Sequence, residues 1–260
     1  MLCNVCSHSA EQFAKANMLG KYDICYYQCI HCGFVQTELP YWLDEAYSNV
    51  INRSDIGLVM RNLKLSQLTH SVICTFFDNN GKFVDYGGGY GLFVRLMRDK
   101  GMRFYRYDPM CENLFANSFD ADLSGKEQYT LATAFEVFEH LVKPIDEIQK
   151  ILRFAPSIFF STTLLPSDRP KPNEWWYYGL EHGQHVSIYS RKSLEIIAEI
   201  FSLQLYSNGR SYHLLTNKSF PHQLYRLAAN YKFSKILNLL VRHHSLLEQD
   251  YYEITGNKLD

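Results

Sequence analysis

The sequence predicts an α/β fold: a doubly wound, mostly parallel seven-stranded sheet, preceded by a small cysteine-rich ribbon and followed by a helical tail. Three observations predict it. The run VDYGGGYGLF at 84–93 starts as a strand, passes Asp85, makes a glycine turn and enters an apolar helical pattern. Strand-like and helix-like segments then alternate, which implies parallel strands covered on both faces. Two Cys-x2-Cys pairs, Cys3/Cys6 and Cys29/Cys32, stand at the N-terminus.

Each element follows in order. The ribbon spans 1–40 and closes near Pro40. Residues 41–70 read as helical, with apolar Ile56, Val59, Met60, Leu63 and Leu65. The first strand is expected near 82–86, its helix near 91–100 and the second strand near 103–107. A compressed helix-and-strand region fills 111–124. The fourth strand falls near 129–135, a helix near 143–153 and the fifth strand near 157–162. A helix near 191–201 starts after Ser190, and two terminal strands occupy 203–208 and 211–217. The expected domains are therefore 1–40, 41–218 and a helical extension at 219–260. In that extension Ile236, Leu237, Leu239, Leu240, Leu246 and Leu247 give one helix an apolar face, read as a docking helix or homodimer contact. With Arg242, His243 and His244 beside it, a weak membrane-surface contact is the alternative.

Composition narrows the function. Of 260 residues 47% are hydrophobic, enough for a sizeable core. With 19 Tyr and 17 Phe, no single tyrosine is singled out for chemistry by composition. The formal net charge of −1 argues against a large nucleic-acid footprint, which needs clustered basic surface. No apolar run is long enough for a transmembrane helix, and the N-terminus lacks a secretory leader's basic and apolar regions. The chain reads as cytoplasmic.

Five of the seven cysteines fall in the first 32 residues. In a reducing compartment such clustering means metal more often than disulfides. A two-residue spacer lets both thiolates of a pair face one ion, and four thiolates close a tetrahedral structural Zn²⁺ site. Cys3, Cys6, Cys29 and Cys32 are the expected ligands. Cys25 is read as a buried thiol, and His8 and His31 as bystanders.

The glycine spacing selects a ligand. The dinucleotide fingerprint needs Gly or Ala at its third position, but that position falls on Leu92 or Val94. An NAD enzyme is thereby disfavoured. The spacing present is Gly87-x-Gly89-x-Gly91, with Asp85 two residues before it. Downstream, RFYRYDP (103–109) ends a strand in Asp108, where a carboxylate can accept hydrogen bonds from ribose hydroxyls. YTLATAFEVFEHL (129–141) runs a strand into Glu136 and then Glu139-His140.

These three segments, in this order, resemble the class I S-adenosylmethionine (SAM)-dependent methyltransferases over roughly residues 80–200. The resemblance implies a Rossmann-like methyltransferase fold, with SAM held by Asp85, Gly87, Gly88, Gly89, Asp108, Phe135 and Glu136, and DADLS (120–124) near the adenine. The long connection 164–190 carries Trp175, Trp176, Tyr177, Tyr178, His182 and His185. Its stretch Gly183-Gln184-His185-Val186-Ser187-Ile188-Tyr189-Ser190 resembles a Gly-x-His-x-x-x-Tyr/Phe-Ser segment of one methyltransferase group. Histidine titrates near neutrality, so His185, then His182, is the expected base; a loop-bracing role for His185 is the alternative. The N-terminal four-cysteine module ahead of such a domain resembles the sugar C-methyltransferases, although the tail from 219 does not match that group's further domain. The expected activity is methyl transfer to O or C of a small polar acceptor, such as a nucleotide-linked sugar or glycan precursor. An RNA methyltransferase and a non-catalytic scaffold are the competing readings.

Overall fold

Local sequence patterns become ten strands and eight α-helices among the residues that the computed structural model describes, 1–48 and 55–259. In chain order they are β1 (Ala10–Met18), β2 (Tyr22–Cys29), β3 (Val35–Thr37), α1 (Leu43–Ala46), α2 (Leu58–Phe76), β4 (Lys82–Tyr86), α3 (Leu92–Arg98), β5 (Arg103–Tyr107), β6 (Leu131–Ala134) and α4 (Pro144–Phe154). Then come β7 (Ile158–Ser161), β8 (Ser187–Ile188), α5 (Arg191–Ile200), β9 (Gln204–Ser207), β10 (Tyr212–Thr216), α6 (His222–Ala228), α7 (Tyr231–Leu240) and α8 (Leu247–Thr255). No helix among the described residues is long and apolar enough to cross a membrane.

The chain forms two compact units. One comprises Met1–Asn52, Phe135–Lys150 and Phe160–Ser219; the other comprises Arg53–Ala134, Ile151–Phe159 and Phe220–Asp260. In the second unit β5, β4 and β6 are neighbours in that order, and in the first β10 and β9 are neighbours. They run parallel across β5, β4 and β6 and antiparallel between β10 and β9. The seventh strand expected within 111–124 is reduced to one bridge between Arg106 and Asp120. Its residues, Asp120-Ala121-Asp122, are too polar and small to pack a continuous strand.

In the first unit the ribbon is a four-stranded sheet, β1-β2-β3-β8. β1 and β2 form an antiparallel hairpin in register from Ala10↔Cys29 to Met18↔Tyr22. β3 lies antiparallel to β2, and β8, from the long 164–190 connection, pairs with β3 through Val35↔Ile188. Trp42, Ile24, Tyr26, Val35, Tyr178 and Ile188 share one buried cluster. The Trp42 indole N–H donates to the Gly183 carbonyl at 2.8 Å, so the connection that carries His182 and His185 is packed onto the ribbon.

In the second unit α2 buries Leu65, Leu68, Val72 and Ile73. Its start differs from expectation. Ile56 and Met60 are 95% and 69% exposed, and Val59 and Leu63 are exposed too. The expected continuous helix 41–70 is instead a short α1 and an α2 that runs on to Phe76; its part at 49–54 lies outside the described residues. The tail also differs. The expected single helix is interrupted at 241–246, and Leu239 and Leu240 are 65% and 77% exposed. Asn230 caps α7 through the Lys232 and Phe233 N–H groups. The tail buries Tyr225, Ala228 and Ala229 and stacks Phe220 on Phe76 at 4.0 Å, and charge pins its end: Asp250 on α8 accepts from Arg98 Nε at 2.8 Å and from Arg95 at 2.8 Å, with Asp250 and Arg98 both buried.

A buried ion pair stripped of one partner leaves an uncompensated charge, which costs about 3–5 kcal/mol. Asp250→Ala is therefore expected to lower the unfolding free energy by about 3 kcal/mol in urea titrations. A loss below 1 kcal/mol means that the tail is not held through this pair.

Candidate functional site

The strand β4 is apolar until Asp85, and the chain must then turn tightly to enter α3. Only glycine permits this at two points. A Cβ on Gly88 would meet the Asp85 carbonyl at 3.1 Å, its Oδ2 at 2.9 Å and Arg106 Cγ at 3.2 Å. Gly91 sits at φ +87°, a left-handed conformation that side chains disfavour. The Gly87 and Gly88 N–H groups donate to the Tyr107 carbonyl at 2.8 and 3.2 Å, which locks the turn against the end of β5.

Asp85 is buried and its Oδ1 accepts from the Thr133 hydroxyl at 2.6 Å. Burial pushes its carboxyl up to about 7, the Asp108 charge adds to this, and the Thr133 hydrogen bond opposes it. Asp108 belongs to the same cradle. Its Oδ2 accepts the Gly89 N–H at 2.8 Å, while Oδ1 accepts from Met110 N–H at 2.8 Å and Cys111 N–H at 3.2 Å. A carboxylate offers about four acceptor positions, so a ribose hydroxyl can still be received. The structure thus brings together Asp85, Gly87, Gly88, Gly89 and Asp108 in one unit.

Arg106 was not singled out from the sequence. Its guanidinium donates to the Gly89 and Cys111 carbonyls and pairs with Asp120 at 2.9 Å. It ties the turn, the segment after β5 and the Asp120 bridge to one side chain. The signal was present: in Arg103–Tyr107 it shares the buried side of β5 with Phe104, and a charge at an inward strand position needs partners.

In the other unit, Glu136 sits at φ +54°, a strained setting for a side-chain-bearing residue. Its N–H donates to Ser161 Oγ at 2.8 Å, and that hydroxyl donates to Glu136 Oε1 at 2.6 Å. Phe135 is half-buried before it. Next, Glu139 and His140 lie in a single tight turn, Phe138–His140. The Val186 N–H donates to the Glu139 carbonyl at 2.9 Å, which brings His185 beside His140, ring centroids 5.0 Å apart. His182 stands 4.7 Å from His185, and its Nδ1 accepts the Gln184 N–H at 3.2 Å.

Two tyrosines orient these imidazoles, and neither was singled out from the sequence for that role. The Tyr47 hydroxyl bonds His140 Nδ1 at 2.8 Å. The Tyr177 carbonyl lies 2.5 Å from His185 Nδ1. A carbonyl can only accept, so Nδ1 carries the proton and His185 Nε2 keeps its lone pair. Burial and the nearby His182 hold His185 down at about 4. Burial, then His185 and His182, hold His140 well below its ordinary value. Both rings are neutral at pH 7. A cleft of about 430 Å³ on the same unit is lined by Thr163, Leu165, Trp175, Trp176, Arg191 and Arg210.

The four expected thiols converge. Cys3 Sγ lies 3.6 Å from Cys32 Sγ, and Cys6 Sγ 3.5 Å from Cys29 Sγ. Zn–S bonds of about 2.3 Å in a tetrahedron separate sulfurs by about 3.8 Å, so the donor set fits one ion. Backbone N–H groups of Val5 and Cys32 point at Cys3 and Cys29 sulfurs at 3.4 and 3.5 Å. Cys25 stays outside this group, while His8 and His31 stack at its rim.

Residues 60–208, more than half of the chain, match the family described as "Methyltransferase domain". No curated protein matches the chain. Among solved structures it is similar to the plantazolicin methyltransferase BpumL in complex with SAH, with TM-score 0.46, 12% identity, and 67% of this chain and 90% of that one covered. It is also similar to magnesium protoporphyrin IX methyltransferase from Synechocystis PCC 6803 with bound SAH, with TM-score 0.43, 13% identity, and 67% and 92% covered. A SAM-dependent methyltransferase from Thermotoga maritima gives TM-score 0.42, 13% identity, and 68% and 99% covered.

The depressed His185 value makes a pH prediction. Its folded value of about 4 lies below the unfolded value near 6.5. The contribution is therefore complete above pH 6.5 and is lost as the pH falls toward 4. Between pH 7 and 5, His185→Gln should lose about 1–2 kcal/mol less unfolding free energy than the unaltered chain. Equal losses in urea titrations would show that His185 is not held neutral.

Proposed function

The chain belongs to the methyltransferase-domain family and is an enzyme that transfers methyl groups, and we propose that it moves the methyl of SAM to an oxygen or carbon of a small polar acceptor. The observation that carries this reading is the cradle in which the glycine turn and Asp108 are joined by the Gly89 N–H. In the proposal the close backbone at Gly87–Gly88–Gly89 admits the cofactor, Asp108 receives a ribose hydroxyl, and Asp85 braces the turn. SAM supplies the electrophilic sulfonium methyl.

Transfer to a hydroxyl or carbon acid requires removal of a proton. His185 is the proposed base: Nδ1–H is committed to the Tyr177 carbonyl, so Nε2 is the nitrogen able to take the proton. His182, whose ring stands 4.7 Å from that of His185, is the second candidate for the base. The burial that keeps His185 neutral at pH 7 leaves Nε2 unprotonated and able to accept. A nucleotide-linked sugar or glycan precursor is the proposed acceptor class. Its support is the cleft bearing Arg191, Arg210, Trp175 and Trp176, where guanidinium groups suit phosphates and indoles suit a sugar ring. Cys3, Cys6, Cys29 and Cys32 would hold one structural Zn²⁺.

Calorimetric titration with S-adenosylhomocysteine is expected to show binding that weakens at least tenfold in Asp108→Ala. In an acceptor screen begun with nucleotide sugars, His185→Gln is expected to lower turnover by about 10²–10⁴-fold with S-adenosylhomocysteine affinity unchanged. Unaltered turnover in that variant would remove His185 from the chemistry.

A further inference from the structure

The buried face of α2 changes character along its length. Leu65, Leu68 and Val72 are apolar, but His70 is buried among them and Cys74 lies one turn further on. Residues four apart share a helix face, so this face presents an imidazole and a thiol side by side. A third donor comes from the tail. His243 lies in the non-helical stretch between α7 and α8, and its place is fixed from several directions. Gly101, at φ +79°, allows the chain to approach so closely that a Cβ there would meet His243 Cβ and the His244 carbonyl. The Leu246 N–H donates to the Arg98 carbonyl at 3.0 Å. On the other side, Asn238 Nδ2 donates to the Gln67 carbonyl at 3.0 Å.

The three side chains converge. Cys74 Sγ lies 3.6 Å from His70 Nε2 and 3.8 Å from its Nδ1, and 3.8 Å from His243 Nε2. The two rings meet edge to face at 5.5 Å. One donor atom from each of the three residues lies within 4.8 Å of the others. Zn–S of about 2.3 Å and Zn–N of about 2.0–2.1 Å at tetrahedral angles separate sulfur from nitrogen by about 3.5 Å. The observed spacings are close to those edges.

We propose that His70, Cys74 and His243 form a second metal site, distinct from the four-cysteine cluster, for a borderline-soft divalent ion of the Zn²⁺ type. Two imidazoles and a thiolate supply three ligands, and water takes the fourth position. The thiol loses its proton to solvent as the metal–sulfur bond forms, leaving a local charge of +1. Lys100, which faces His70, donates to Asn238 Oδ1 at 3.1 Å, so its ammonium is engaged beside the site. The ion would fasten the stretch 241–246 to α2. The site does not depend on methyl transfer or on the N-terminal thiols.

The test counts zinc on the full chain. Protein stripped with chelator is re-equilibrated with Zn²⁺, dialysed and assayed for metal per chain. Cys74→Ser and His243→Ala are each expected to hold one zinc fewer than the unaltered chain, whether or not the four-cysteine cluster is loaded. Co²⁺-loaded protein should lose part of its thiolate-to-cobalt absorption in Cys74→Ser, and limited proteolysis should cut 241–246 faster in both variants. Equal zinc content in the unaltered chain and His243→Ala overturns the proposal. His243→Ala keeps the test decisive if Cys74→Ser fails to fold, because His243 lies outside the helices.

Discussion

One guanidinium sets the geometry of the glycine turn in the second unit. Arg106 holds the carbonyl of Gly89, the carbonyl of Cys111 and the carboxylate of Asp120 at once. A loop of glycines has high conformational entropy and would not stay in one shape unaided. Arg106 removes that freedom from behind, and the Tyr107 carbonyl removes it from the side by accepting two N–H groups of the turn. Asp108 is then presented at a fixed distance from Gly89. Much of the proposed cofactor recognition rests on this buried cation.

A different device operates in the first unit. Its imidazoles are neutralised by burial and oriented through one nitrogen each, by the Tyr47 hydroxyl and the Tyr177 carbonyl. Tyr177 serves twice, since its hydroxyl also receives the Thr163 N–H at 2.8 Å. The connection 164–190 is therefore not a free loop. Its Ser187 and Ile188 complete the ribbon sheet as β8, and Ser190 both caps α5 and donates to the Cys32 carbonyl. An ion at the four thiols would thus stiffen the sheet that carries the histidines, which gives the cysteine module a mechanical reason to precede the domain.

The strands β4, β5 and β6, the helix after the glycine turn and the convergence of four thiols were legible because each rests on local chemistry. An apolar run, a glycine spacing or a two-residue spacer states its own constraint. The clamp at Arg106 and the tyrosines behind the histidines were not legible, because their partners lie far away in sequence or are main-chain carbonyls that any residue provides. The tail was legible only in part. Its apolar stripe of Ile236, Leu239 and Leu240 is exposed and does not pack the tail onto its own unit; Tyr225, Ala228, Asp250 and Asn238 do that instead. Periodicity reports which residues could share a face; it does not report whether that face meets a partner. The strand expected within 111–124 failed on composition, since its residues give a sheet little apolar surface to bury.

On the proposed reading the glycine turn receives an adenosyl sulfonium and not a dinucleotide. Equilibrium dialysis of methyl-labelled SAM against the zinc-loaded chain separates the two. Saturable binding of one SAM per chain is expected, displaced by S-adenosylhomocysteine and unaffected by NADH. Displacement by NADH, or no saturable SAM binding by folded protein, would contradict it.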